Sequence, residues 1–281
     1  MPVSNAIRLL FGLFFLTLAA CAPPNTQDIW NGLVREGGVS GFQPLNIQAG
    51  QFTLAALLKN EPSQSDLLVV YLEGDGRVTV GGKPSSDPSP HTAQGFRLAV
   101  LDPAPKVLYL ARIGQYQPEN CGPDYQKYWL TARLADEAVE AASRAIDLMK
   151  SRTGTRRVQL IGYSGGGGLA ALVAARRSDV SGIVTVAGLL SHRWWTEQLK
   201  VRPLAESLDP YDFATELASI PQIHFYGKSD RIVAPSVSAR FVDKSASTNV
   251  VRVGEDCDHW NNWTALWPGL LNRYVVPGRH D

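Results

Sequence analysis

The pentapeptide Gly162-Tyr163-Ser164-Gly165-Gly166 fits the pattern G-x-S-x-G. An apolar run, Val158–Gly162, enters it, and an Ala/Leu-rich stretch, Leu169–Arg177, leaves it. A strand that turns abruptly into a helix at a serine exposes the hydroxyl at the tip of the turn. Glycines two before and two after let the two backbones approach without a Cβ clash. A serine hydroxyl is a weak nucleophile at neutral pH; it needs a histidine to take its proton and a carboxylate to orient that histidine. The competing reading is a glycine-rich turn with an incidental serine. A phosphate cradle is poorly supported, because the chain has no Gly-Lys-Ser/Thr and no G-x-G-x-x-G after an early strand.

Five histidines compete for the role of base. His280 is in the C-terminal tail, and His224 sits inside an apolar strand, where a core histidine is expected. His91 follows Ser89-Pro90 and opens a helix. His192 follows the strand ending at Ala187 and can line a pocket mouth. His259, in Cys257-Asp258-His259-Trp260, lies between the last strand and the final helix, where a loop can swing it over the serine. The acid is expected between serine and histidine in the chain, at the end of a strand. Asp230 meets that condition in Gly227-Lys228-Ser229-Asp230; Asp209, Asp212, Asp256 and Asp258 are its rivals. An oxyanion formed by attack needs fixed backbone donors. These are expected from Asp75, in Glu73-Gly74-Asp75-Gly76, and from Gly165, the residue after the nucleophile.

The elements that must position these residues alternate. Leu45–Ile47 and Phe52–Leu58 read as a hairpin. Leu67–Leu72, Val107–Ala111, Val158–Gly162, Ile183–Ala187, Gln222–Tyr226 and Val250–Val253 read as strands, the first of them apolar throughout, as burial on both faces requires. Thr131–Arg152, Leu169–Arg177 and segments near 236–244 and 260–274 read as helices. Alternation of this kind gives a parallel sheet with helices on both faces, in one domain. The segment from Ala187 to Pro221, where a lid would sit, is short. Its His192, Trp194 and Trp195 are weak candidates for a pocket wall.

The chain has 281 residues, 44% of them hydrophobic, with 27 Lys+Arg against 26 Asp+Glu. That composition is globular, and the balanced charge without a basic stripe excludes a phosphate-binding surface for nucleic acid. At the N-terminus, Arg8 precedes an apolar run from Leu9 to Ala20, about a dozen residues and too short to span a bilayer. Residues 1–20 therefore read as an export signal, 21–44 as a tether and 45–281 as the domain. Leu18-Ala19-Ala20-Cys21 resembles the bacterial lipoprotein signal. The resemblance implies acylation of Cys21 and a lipid-anchored protein of the cell envelope; Ala22 in place of Asp implies the outer membrane, facing the periplasm. A plain secretory signal is the alternative. Export leaves Cys121 and Cys257, which are expected to pair as a disulfide. Neither has a second cysteine at metal-ligand spacing, so no metal is expected.

Strand, oxyanion loop, G-x-S-x-G, Asp after a strand and His before the last helix, in the chain order Ser164, Asp230, His259, resemble the α/β-hydrolase superfamily, and within it uncharacterised bacterial hydrolases that are often lipoproteins. The resemblance implies an α/β fold with a mostly parallel eight-stranded sheet, a Ser164–Asp230–His259 triad, no cofactor, and a small-molecule ester as substrate. Peptidase, amidase or thioesterase chemistry would use the same residues, and a non-catalytic envelope binding protein on the same scaffold is the reading from another class. One departure stands out. Many members carry His-Gly after the oxyanion strand, whereas this chain has Glu73-Gly74 with Asp75 beside it. Either these carboxylates point away from the oxyanion, or one of them, Glu73, recognises substrate.

Overall fold

The computed structural model describes residues 25–117, 123–276 and 279. The chain opens with α1 (Thr26–Val39), followed by the strands β1 (Phe42–Ala49), β2 (Phe52–Asn60) and β3 (Leu67–Leu72). After the two-residue strands β4 (Thr79–Val80) and β5 (Lys83–Pro84) come α2 (Gln94–Val100), β6 (Lys106–Leu110) and α3 (Asp136–Thr153). The remainder runs β7 (Arg157–Tyr163), α4 (Gly165–Ala174), β8 (Val180–Val186), α5 (His192–Leu199), β9 (Gln222–Gly227), α6 (Pro235–Ser245), β10 (Val250–Glu255) and α7 (Trp263–Leu270). Eight strands form one sheet in the order β1-β2-β6-β3-β7-β8-β9-β10. Only β2 runs against the others. The mostly parallel eight-stranded sheet is thus the one expected.

Both faces of that sheet are covered, which explains the unbroken apolar run of β3. Leu68, Val70 and Leu72 pack into one core with residues of α3 and α4. Leu67, Val69 and Tyr71 pack into the other, with residues of α1, α2 and α7. Register then decides where the loops emerge. Leu72 pairs with Leu110 and Gly162, Tyr163 with Val186, and Glu255 with Gly227. The loops after β3, β6, β7, β9 and β10 therefore leave from one edge of the sheet, where open parallel sheets build their sites.

From residue 25 on, the segment expected to be a tether is built into the domain instead. Asn25 caps α1 by accepting from the Asp28 N–H at 2.8 Å, and Leu33 and Gly37 are buried against the core. A Cβ on Gly37 would lie 2.9 Å from the Phe96 ring, so the helix closes on α2 through a glycine. α3 begins at Asp136, later than the periodicity suggested, because the backbone before it is bonded to the 207–208 segment, Leu134 N donating to Ser207 Oγ and Leu134 O accepting from Leu208 N, each at 3.0 Å. The short helices α2 and α5 carry no periodic stripe long enough to be read from sequence. No described helix is long and apolar enough to cross a membrane. The signal segment and Cys21 lie outside the described residues.

Candidate active site

Ser164 occupies the turn between β7 and α4 with φ 53° and ψ −121°. A positive φ at a non-glycine residue stores of the order of 1–3 kcal/mol and persists only where the surroundings fix it. Here the Ser164 N–H donates to Val186 O, and its carbonyl accepts from Gly167 N and Leu189 N, all at 2.9 Å. The flanking glycines are required by contact. A Cβ on Gly162 would lie 2.2 Å from Gly166 O, and one on Gly166 would lie 2.2 Å from Leu72 O.

His259, from the loop after β10, reaches the serine: the Ser164 hydroxyl and His259 Nε2 are 3.0 Å apart. On its other side, His259 Nδ1 donates to Asp230 Oδ2 at 2.8 Å. The second oxygen of Asp230 accepts from Ile232 N and Val233 N, each at 2.8 Å. Asp230 therefore closes an Asx turn and orients the imidazole at once, with its side chain fully buried. The loop that carries His259 is held by Tyr163, whose hydroxyl donates to His259 O at 2.7 Å, and by the Trp263 indole N–H on the same oxygen at 3.2 Å.

The rival acids are engaged elsewhere. Asp209 accepts from the first N–H groups of α5, at His192 and Arg193. Asp212 pairs with Arg193, Asp256 with Lys228, and Asp258 caps the turn through Trp260 N and Asn261 N. His224 is a core histidine: it is fully buried against Phe241, and burial pushes its pKa down to about 3.

The loop after β3 answers the question raised by its two acids. Glu73 borders the cavity over Ser164, but its carboxylate is engaged inside the protein. Its carboxylate accepts from the N–H groups of Gly74, Gly95 and Phe96 and from the Tyr109 hydroxyl, tying the loop to the start of α2. Burial raises its pKa, against the pull of these donors. Asp75 faces two arginines: Arg112 Nη1 lies 3.1 Å from Oδ1 and Arg133 Nη1 2.8 Å from Oδ2. Burial alone would raise the Asp75 pKa, but the attraction of Arg133 and Arg112 outweighs it and holds the carboxyl below its ordinary value. Gln115 fixes the peptide between Gly74 and Asp75, its Nε2 donating to Gly74 O at 2.9 Å. In a trans peptide the C=O and N–H point in opposite directions, so the Asp75 N–H is turned away from Gln115. Among the described residues this N–H has no acceptor, and neither has that of Gly165, which as the first residue of α4 has no partner within the helix. Arg112, Arg133 and Gln115 come from loops with no local pattern, and no sequence signal singled them out.

A cavity of about 910 Å³ opens over the serine. Ser164, His259, Asp75 and Arg133 line it together with Trp195, Ile232 and residues 201–204. Residues 78–84, including β4 and β5, supply a wall that the sequence did not suggest. Of the weak pocket candidates Glu73 and Trp195 border the cavity, the Trp195 indole N–H on Ile232 O at 2.6 Å. Trp194 instead packs under Arg240, 4.3 Å from its ring centroid, on α6. His192 is buried at the start of α5 with Nε2 on Ser207 O at 3.2 Å, because Asp209 draws that helix end inward. Cys257 is a free, buried thiol among the described residues; its side chain belongs to the core under the sheet edge, and burial raises its pKa to about 12. Cys121, the partner of its expected disulfide, lies outside the described residues. The described residues hold no cluster of metal-ligating side chains.

The model of the FSH1 serine hydrolase family matches residues 104–256, more than half of the chain. The chain belongs to the FSH1 serine hydrolase family. Solved structures agree on the fold of this family member. Est1E from Butyrivibrio proteoclasticus superposes with a TM-score of 0.61 at 12% identity, covering 85% of this chain and 99% of its own. An alpha-beta serine hydrolase homologue from Coxiella burnetii gives 0.56 at 14%, covering 84% and 96%. The acylaminoacyl peptidase of Pyrococcus horikoshii gives 0.60 at 13%, covering 89% of this chain but 42% of its own. At such identities these likenesses show the α/β-hydrolase fold and not the substrate. No curated protein matches the chain by sequence.

Proposed function

We propose that this member of the family is a carboxylic ester hydrolase that works through an acyl-enzyme on Ser164. The observation that carries this reading is the relay Ser164 Oγ–His259 Nε2–Asp230, at 3.0 and 2.8 Å, seated on a strained turn beside two uncommitted backbone N–H groups. His259 Nε2 takes the hydroxyl proton as Ser164 Oγ attacks the ester carbonyl. The negative charge on the former carbonyl oxygen is met by the N–H groups of Asp75 and Gly165. The imidazolium, held by Asp230, returns its proton to the departing alkoxide, and a water deprotonated by His259 then releases the acid. The apolar part of the cavity, from Trp195, Ile232 and Val233, accommodates the acyl chain.

A fluorophosphonate probe tests the nucleophile: the wild-type chain should label on Ser164, and a protein that never labels is a binding module. Nitrophenyl esters of increasing chain length, with an anilide and a thioester beside them, test the bond; a preference for the anilide would replace ester by amide hydrolysis. We also propose that Cys21 carries the lipid anchor to the cell envelope, on the support of Leu18-Ala19-Ala20-Cys21. Metabolic fatty-acid labelling should mark the wild type and be lost in Cys21→Ser.

A further inference from the structure

The Asp75 carboxylate rests against the residue that follows the nucleophile: a Cβ built on Gly165 would lie 2.0 Å from Asp75 Oδ1 and 2.7 Å from Oδ2. If the N–H groups of Asp75 and Gly165 receive the oxyanion, an acid stands beside the place where negative charge develops. Left bare, it would oppose that charge. Each of its oxygens, however, faces its own guanidinium, Arg112 on one and Arg133 on the other. Both arginines are braced on neutral acceptors. Arg112 donates to Arg133 O, and Arg133 Nε donates to Leu130 O at 2.8 Å. Among the described residues neither forms a salt bridge with any other acid. All three side chains are nearly buried, at 14%, 8% and 13% exposed for Asp75, Arg112 and Arg133, so solvent screens their charges little.

We infer that Arg112 and Arg133 are positioning residues for the oxyanion site: they cancel the field of Asp75 at the developing charge and hold its side chain so that the Asp75 N–H stays aimed at the substrate. This inference rests on the ester-hydrolase reading above. A like charge a few ångströms away in a partly desolvated site changes a barrier by one to two orders of magnitude in rate. The effect falls on kcat, because the charge exists in the transition state and not in the bound ester.

The test compares the full-length wild type with Arg133→Gln, Arg133→Lys and the double variant Asp75→Asn/Arg133→Gln, on nitrophenyl butyrate. Arg133→Gln should lower kcat on the order of 10–100-fold with KM changed little. Arg133→Lys, which keeps the charge, should recover part of the loss. The double variant, which removes one charge of each sign, should recover most of it. A structural role would also let the double variant regain stability, since no bare carboxylate remains, but it would act on the folded fraction and not on kcat of the folded enzyme; kcat is therefore read well below each variant's thermal transition. The inference is overturned if Arg133→Gln keeps wild-type kcat, if it changes KM alone, or if the double variant is no better than the single one. Should Arg133→Gln give no native thermal transition, the charge-preserving double variant decides alone: kcat within about tenfold of wild type supports the inference, and a loss comparable to that of Ser164→Ala overturns it. A wild type that neither labels nor turns over esters would instead overturn the hydrolase reading itself.

Discussion

Three side chains from three different loops meet within hydrogen-bonding distance, and each has a second task that keeps it there. Ser164 is locked by three backbone hydrogen bonds, Asp230 by its Asx turn, and His259 by Tyr163 and Trp263 acting on its carbonyl. Because the three act as a unit, Ser164→Ala and His259→Ala are each expected to remove nearly all turnover of a nitrophenyl ester while the melting temperature holds. Asp230→Asn should lose somewhat less, on the order of 10⁴-fold, since the amide favours the wrong imidazole tautomer. Steady-state kinetics on the three variants check this. Near-full activity in Asp230→Asn would remove Asp230 from the relay. These residues were legible in the sequence because motif, chain order and strand ends constrain them. The role of Glu73 was not. A carboxylate beside this loop is equally compatible in sequence with substrate recognition and with a buried anchor, and the anchoring donors, the Gly95 and Phe96 N–H groups of α2 and the Tyr109 hydroxyl, lie more than twenty residues away.

At the level of elements, α4 forms against the local preference of its sequence. It starts with four glycines, each of which disfavours a helix interior by roughly 0.5–1 kcal/mol relative to alanine. What compensates is contact: a Cβ on Gly166, Gly167 or Gly168 would come within 3 Å of backbone belonging to β3 or to the chain following β8. The sequence therefore started this helix at Leu169, four residues late, since propensity argues against glycine and close approach cannot be seen locally. Gly162→Ala, whose Cβ would meet backbone of α4, should cost about 3 kcal/mol or prevent folding. Gly32→Ala on α1, where a Cβ meets nothing within 4 Å, should instead raise stability by roughly 0.4–1 kcal/mol. Denaturant titration of both variants separates a packing requirement from a mere preference.

His224 gives β9 a pH dependence of its own. Burial, with Arg252 adding repulsion, holds its pKa at about 3, whereas in the unfolded chain it takes up a proton near the ordinary value of 6.5. The folded pKa is the lower one, so the unfolded chain binds the extra proton between these limits. Stability is fully present above about pH 6.5 and is lost as pH falls toward 3, at roughly 1.4 kcal/mol per pH unit. Chemical denaturation at pH 7, 6 and 5 should show this slope in the wild type and a flatter one in His224→Gln. An unchanged slope would mean that the ring is accessible to protons in the folded protein.

Taken as a whole, the molecule builds its site at the edge where the parallel strands end and ties the chain together with a buried polar cluster near the start of β6. Arg279 approaches Asp102 with both ends of its guanidinium, at 2.8 and 2.6 Å, and donates through Nε to Gln159 on β7 at 2.8 Å. Asp102 also accepts from the Tyr71 hydroxyl of β3 at 2.6 Å, and Tyr71 in turn accepts from the Trp267 indole of α7 at 3.2 Å. Lys59 of β2 donates to Asp102 O at 2.8 Å. One ion pair, with the Arg279 and Asp102 side chains 7% and 0% exposed, thus joins the C-terminal segment to four elements of the fold. Nothing in the spacing of Asp102 and Arg279 announces it, because the partners lie far apart in sequence and neither belongs to a motif. Removing one partner strands the other charge in a site solvent does not reach, so Arg279→Ala should cost about 3–5 kcal/mol and lower the melting temperature by roughly 6–15 °C. Replacing both, as Asp102→Asn/Arg279→Met, should cost less than the single change, since no bare carboxylate remains. Calorimetry on the two variants decides it. If the double variant melts lower than Arg279→Ala, the cluster's contribution lies in the hydrogen bonds of Asp102 to Tyr71 and Ala104, with the compensation of charge secondary. At temperatures well below either transition, ester turnover should match the wild type, because the cluster shares no residue with the relay at the opposite edge.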